Sequence, residues 1–434
     1  MRGRNPPKLA ASNKEIILIK YAFGCFLVFC LFLLLPLSPL RSAHAVDQDI
    51  KGKIHISHGD NDQGQASDVE YHLEETSTKR FHKVNRKVQD DTLELESGDD
   101  VIIRGTKRLS GSSRVIDATS IKKDKITEVP ATRDLITPST TTSQTFLVML
   151  VNLTDAQVTV TAEQINGLIF GSTQVAGLYN EMSFGRTQFS GVTVSTPVTI
   201  NFTKSQGCQY YQWASAADAL ISQQGVTLTN YKHRVYVMPD LSSMCSNYWG
   251  YSTFGGNPSR SWLFKSTVAD LDAHELGHAL SSHHAGILNG SEYGDTSDIM
   301  GWSGIGLRHM NAPHKHQMGW VSGSSLGDVT TSGTYVILPL EIATTAGVQV
   351  LRVFRPSTND YLYISYRVPF GYDSTLRTAY VNKVNIHTYK GSGVVVTRFL
   401  TALDVGQSYT DAGSNTTIKV LSRDGGGATV QITK

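Results

Sequence analysis

Apolar positions between residues 146 and 320 follow two different periods. The segment "FLVMLVNL" (146–153) is a continuous apolar run of strand length, whereas "TAEQINGLIF" and "TQVAGLYNEM" after it space their apolar residues as helices do. Farther on come an apolar pattern over residues 211–221, a strand at "HRVYVM" and a helix over "STVADLDAHELGHAL" (266–280). A strand followed by helices predicts an α/β (α+β) layered domain over residues 143–323. Beyond Trp320 the pattern changes to short alternating segments, "TYVILPL", "VQVLRVF", "DYLYISYRV", "GSGVVVTRF" and "ATVQITK", separated by Gly, Ser, Asn and Asp. Regular turns between short strands predict an all-β sandwich over residues 324–434.

Upstream, residues 46–142 are dense in charge, but "DTLELESGDDVIIRGTKR" alternates like short strands around a turn, so a small β-rich domain or propeptide is expected there. The polar stretch "TPSTTTSQT" (137–145) has neither period and marks the boundary, a natural place for an activating cleavage. The first 45 residues have a different order: Arg2, Arg4, Lys8, Lys14 and Lys20 precede the apolar run 22–35, which is followed by Ala43-His44-Ala45. That is the order of a signal peptide, and the run is shorter than the roughly 20 residues a spanning helix needs. Cleavage after Ala45 and secretion are expected, with an uncleaved anchor or a periplasmic location as the alternatives.

Charge adds little: a formal net charge of +2 with 18% charged residues gives no field that would select nucleic acid or an anionic membrane. Cysteine usage adds more. Cys25 and Cys30 lie in the apolar leader, leaving Cys208 and Cys245 as the pair in the exported part, where a disulfide is the simplest expectation.

The chemistry concentrates in "HELGHALSSHHAG". His274 and His278 are four apart on the expected helix and therefore share a face, so both imidazoles can reach one ion. Zinc suits neutral imidazole, and a catalytic zinc site keeps three protein ligands and an open fourth position. His284 is the candidate third ligand, with the adjacent His283 as its rival. To bring His284 round, the helix must end after Leu280 and the chain must turn at a residue with positive φ. Ser281 stands there, at a cost of about 1 kcal/mol for a left-handed non-glycine. Glu275, beside His274, fits the general base that takes a proton from water on the metal and returns it to the leaving amine. Downstream, "EYGDTSDIMGWSG" carries Met300 in a Gly- and Asp-rich turn.

Together these segments resemble the gametolysin-type metallopeptidases, a branch of the metzincins. The resemblance rests on "HELGHALSSHH", on "EYGDTSDIMG" and on "NAPHKHQMGW" (311–320), with "YNEMSFGRTQFSG" and "YLYISYRVPFGYDS" in support. It implies an exported zinc endopeptidase acting on proteins or glycoproteins of walls and matrices, with His274, His278 and His284 as ligands, Glu275 as catalyst and Met300 as the methionine packed under the metal. Two departures stand out. Glycine is usual where Ser281 stands, and the propeptide cysteine that caps the metal in some relatives has no counterpart, because no cysteine occurs in residues 46–142. The tyrosine that some metzincins place two residues after the methionine is replaced by Trp302. His309, His314 and His316 are read as structural.

Sequons at Asn152, Asn201, Asn289 and Asn415 accept glycans only in a eukaryotic secretory pathway. The aromatic, glycine-rich segment 245–264 is expected to line the cleft, with Trp262 as its test residue and a disulfide-tethered structural loop as the competing reading. The rivals to a peptidase are an exported binding protein or adhesin with a vestigial zinc site, and a zinc hydrolase of another amide or ester.

Overall fold

The computed structural model describes residues 46–61, 69–86, 94–111, 113–124, 141–344 and 347–434. The expected signal segment and residues 137–140 of the expected linker lie outside them. The first described segment is built from strands β1 (Gln48–Asn61), β2 (Glu70–Glu75), β3 (Phe81–Arg86), β4 (Asp100–Ser110) and β5 (Ser113–Lys123). β1 pairs with both β2 and β4, and β4–β5, β5–β3 and β3–β2 close the ring into a five-stranded barrel. Ile50, Ile54, Leu73, Val101, Ile103 and Ile116 fill it. A barrel strand turns only alternate residues inward, which is why Ile50 and Ile54 are separated by lysines and the segment contains no long apolar run.

β1 is longer than the barrel requires. Its last residues, from Ser57 to Asn61, run on to pair antiparallel with β10 (Tyr248–Thr253) of the next layer, with Ser57 opposite Thr253 and Asp60 opposite Gly250. That layer begins with β6 (Thr142–Asn152), α1 (Ala162–Phe170), α2 (Val175–Met182), β7 (Thr187–Thr193), β8 (Val198–Thr199), α3 (Tyr210–Gln223) and β9 (His233–Val237). After β10 come β11 (Ser259–Leu263) and α4 (Ala269–Ala279). The strands are ordered β10-β11-β9-β6-β7; β11, β9, β6 and β7 run parallel and β10 antiparallel.

The continuous apolar run in β6 has a simple cause: both faces of the sheet are covered. Phe146, Val148 and Leu150 pack with Ile165, Leu178 and Leu276 of α1, α2 and α4. Leu147, Met149 and Val151 pack with Trp213, Ala217 and Ile221 of α3 on the other face. The strand also starts earlier than its apolar residues, because Thr142 to Thr145 already pair with β7. Trp262 is fully buried against Tyr211 and Tyr236, so it belongs to this core and is not a wall of a cleft. A disulfide joins Cys208, just before α3, to Cys245, just before β10. Closing a loop of that length contributes roughly 3 to 4 kcal/mol in the chain-entropy view.

The remaining elements are β12 (Ala285–Ile287), α5 (Ala312–Gln317), β13 (Leu326–Asp328), β14 (Gly333–Ile337), β15 (Val350–Arg355), β16 (Asp360–Arg367), β17 (Lys383–Tyr389), β18 (Thr397–Leu403), β19 (Ser408–Asp411), β20 (Thr416–Asp424) and β21 (Gly427–Thr433). They form a six-stranded sheet, β12-β18-β17-β16-β15-β13, and a four-stranded sheet, β14-β21-β20-β19, packed over Ile337, Val353, Ile364, Ile418 and Val430. The "GSGVVVTRF" segment contributes only its last residues to β18, since Gly391 and Gly393 take positive φ in a turn. Among the described residues no helix is long and apolar enough to cross a membrane.

Candidate metal centre

Helix α4 is buried along almost its whole length, from Asp270 to Ala279. Its start is tied down by Asp270, whose Oδ2 accepts the backbone N–H groups of Gly304, Ile305 and Gly306 at 2.7, 2.9 and 2.9 Å. Its end is a left-handed cap. Ser281 has φ +72°, its N–H donates to the His278 carbonyl at 2.8 Å, and the Ser282 N–H donates to the Gly277 carbonyl at 3.0 Å. This double closure turns the chain back under the helix so that His284 arrives beside His274 and His278.

The three imidazoles converge. Their ring centroids are 4.8 Å apart for His274–His278 and His278–His284 and 5.4 Å for His274–His284. Each Nδ1 faces a group that can only accept: Ile299 O at 3.0 Å for His274, Ser282 O at 2.7 Å for His278 and Glu292 Oε1 at 2.7 Å for His284. In a neutral His274 or His278 ring the proton is therefore on Nδ1 and the lone pair on Nε2, turned toward the centre, whereas His284 meets a carboxylate oxygen at Nε2 as well as at Nδ1, and burial is outweighed by those carboxylates, which push its pKa up to about 9. His283 is turned elsewhere: its Nδ1 accepts from the His284 N–H at 2.8 Å and its ring stacks on Phe254.

A fourth group, absent from the sequence-based expectation, completes the cluster. Asp60, at the end of β1, has Oδ1 2.8 Å from His284 Nε2 and 3.5 Å from His274 Nε2, and Oδ2 3.2 Å from His278 Nε2. Donor atoms of Asp60, His274, His278 and His284 all lie within 4.8 Å of one another. His274 Nε2, His278 Nε2 and Asp60 Oδ2 are buried without a hydrogen-bond partner. Orphaned buried nitrogens and oxygen facing one point are what a cation would satisfy, and three imidazoles with a carboxylate form a donor set suited to zinc. The residues fit a metal.

Glu275 is beside the cluster, fully buried, with Oε2 accepting from the Ser252 hydroxyl and Oε1 without a partner. Its neighbour Gly250 is glycine for a steric reason: a Cβ there would stand 1.9 Å from Glu275 Oε1. Burial raises the Glu275 carboxyl well above its ordinary range, and the Asp60 charge adds to the effect. Burial acts the same way on Asp60 but is outweighed by the three histidines, which hold it well below the usual carboxylate range. Beneath the helix, Met300 lies against Gly277, where a Cβ would come within 2.3 Å of its sulfur. Tyr293 donates to Asp60 Oδ1 at 2.7 Å. His309, His314 and His316 are bonded instead to Glu181, Asp298 and Tyr363.

Sequence reasoning missed Asp60, Glu292, Tyr293 and Ser252. Glu292 and Tyr293 stand just inside a motif already noted for its resemblance, so proximity to His284 was a usable signal. Asp60 had none, since no spacing rule connects it with residues more than two hundred positions away.

The fold and cluster define a mixed α/β protein, rich in strands, with a buried centre of three histidines, two on the helix that carries Glu275 and the third just beyond its end, the arrangement of a metallopeptidase. The model of one family, described as gametolysin peptidase M11, matches residues 146–401, more than half of the chain, and the protein belongs to that family. Among curated proteins none matches the chain.

Proposed function

We propose that this metallopeptidase is an exported zinc endopeptidase that hydrolyses internal peptide bonds of extracellular, matrix or wall proteins. In this reading His274, His278 and His284 hold the metal and Glu275 is the general base. The organisation proposed with it is a signal segment over residues 1–45, an N-terminal β-rich domain or propeptide to 142, the catalytic domain over 143–323 and a β-sandwich over 324–434. The observation that carries the reading is the convergence of three buried Nε2 atoms beside Glu275, whose Oε1 is buried without a hydrogen-bond partner.

A zinc ion bound there would supply Lewis acidity, making water more acidic and a carbonyl more electrophilic. The chain's own residues do the rest. Glu275, whose carboxyl is raised by burial, takes a proton from the attacking water and passes it to the leaving amine. Ser252 fixes the carboxylate by bonding Oε2 and leaves Oε1 to face the reacting atoms. Once β1 is withdrawn from it, β10 would offer an extended peptide an antiparallel edge along which the scissile bond can be aligned. Glu292 orients His284, and the Tyr293 phenol can donate to a carbonyl oxygen once Asp60 is gone.

A second reading is favoured by one specific observation. With Asp60 the cluster offers four protein donors, as closed structural zinc sites do. Casein hydrolysis by the proteolytically nicked chain, with and without a chelator, separates the two when measured beside Glu275→Ala of known zinc content. The expected result is cleavage that the chelator abolishes, and a variant that keeps its zinc while losing about 10²- to 10⁴-fold in rate. A nicked, zinc-loaded wild type that stays inert would favour the structural site.

A further inference from the structure

Asp60 is on β1, a strand of the barrel, yet its carboxylate faces the Nε2 atoms of all three histidines. Its delivery is rigid. The same β1 is paired through its first ten residues with β2 and β4, so the carboxylate comes from a closed barrel and not from a loose loop. At the point of entry, Gly59 lies flat on Tyr248, where a Cβ would be 2.4 Å from the ring, and the strand shifts register between Asp60 and Asn61. Tyr293 donates to Oδ1 and fixes the rotamer. Asp60 is 5% exposed, and a carboxylate so buried needs a cation or several donors to offset its desolvation.

The partner strand is equally telling. β10 is the last strand of the five-stranded layer, and its outer edge is covered from Ser57 to Asn61 by β1, antiparallel. That is the edge along which a substrate backbone would pair, and Asp60 is opposite Gly250, the residue that makes room for Glu275. The cavity that remains beside the cluster, lined by Asp60, Trp249, His274 and Tyr293, measures about 20 Å³, room for one water and not for a peptide.

Resting on the peptidase reading, we infer that the N-terminal barrel is a built-in inhibitor: β1 lies in the substrate's place along β10, and Asp60 serves as the fourth metal ligand that keeps water and substrate out. The carboxylate thereby does what a cysteine cannot do in this chain, since residues 46–142 contain none. Withdrawal of the barrel frees the fourth coordination position and the β10 edge in one movement, because one strand blocks both.

The test uses the full chain loaded with Co²⁺, whose visible spectrum reports the ligand set without any turnover, for wild type, Asp60→Ala and the isosteric Asp60→Asn. Thermal unfolding shows that each variant is folded. The expected result is a changed cobalt spectrum in both variants and metal loss to a chelator at least about tenfold faster than in wild type, while the uncut variants, in which β1 still covers the β10 edge, remain as inactive on casein as uncut wild type until the barrel is detached. Limited proteolysis that detaches the barrel from wild type should produce the same spectral change. Unchanged spectra and unchanged metal release in both variants overturn the inference; if nicked wild type nevertheless cleaves casein, the peptidase reading survives it. A spectral change in the variants with an inert nicked wild type leaves Asp60 as a ligand but removes the peptidase, and latency with it.

Discussion

Ser281 is a single residue on which the geometry of the centre turns. Its φ of +72° is the left-handed conformation that closes α4, and a side chain there costs about 1 to 2 kcal/mol, partly recovered against glycine because glycine loses more backbone freedom on folding. Ser281→Gly should therefore raise stability by up to about 1 kcal/mol, read as a higher thermal midpoint, with metal content unchanged. A lower midpoint would mean that the contact of the Ser281 hydroxyl with Gly255 is worth more than the strain. At the same scale, Gly250, Gly277 and Gly59 are fixed by what stands against them: Glu275, Met300 and the Tyr248 ring respectively. None of these three could be assigned a role from the sequence, because the atom that forbids a Cβ belongs to a distant segment.

Among the elements, the β9–β6–β11 join has a pH dependence of its own. His233 of β9 is held by Ser259 Oγ at 2.6 Å and Gln144 Oε1 at 2.8 Å and stacks on Phe146. Burial pushes its pKa down to about 3 from an ordinary 6.5. Between those values the unfolded chain binds a proton that the folded chain refuses. The contribution is thus complete above pH 6.5 and is lost as pH falls through the window, by up to about 1.4 kcal/mol per pH unit. His233→Gln should flatten the fall of unfolding free energy on acidification by about that slope, measured by urea titration at several pH values. An unaltered slope would assign acid sensitivity to other groups. The elements themselves were largely legible: β6, α1 to α4 and β9 follow local periodicity. β1, β2, β3 and β5 were not, since in a small barrel charged residues alternate with the few that point inward.

For the whole molecule, the centre is braced by contacts with the six-stranded C-terminal sheet. β12 follows His284 directly and pairs with β18, and the Thr397 N–H donates to the His284 carbonyl at 3.0 Å. Arg367 of β16, fully buried, donates to the Ser297 carbonyl at 2.9 Å in the turn before Met300, and also bonds Glu341 at 2.9 Å and Asp373. Arg367→Ala leaves two buried carboxylates without their cation, and the expected cost is about 3 to 5 kcal/mol with faster loss of metal to a chelator. A variant as stable as wild type would show that the turn holds without this brace.

What the sequence determined by itself is the local chemistry. His274 and His278 share a face because a helix repeats every 3.6 residues, Glu275 is adjacent to them, and the short turn at Ser281 leaves His284 little choice of place. Tertiary structure turned His284 Nε2 toward the cluster and the His283 ring onto Phe254, buried Trp262 in the core, and brought in Asp60 from 224 positions away. The physical reason is range. Helical periodicity and caps act over a few residues and can be read from spacing, whereas the register of β1 against β10 is set by the closed barrel and the edge it meets, and strand pairing leaves no fixed interval in the chain.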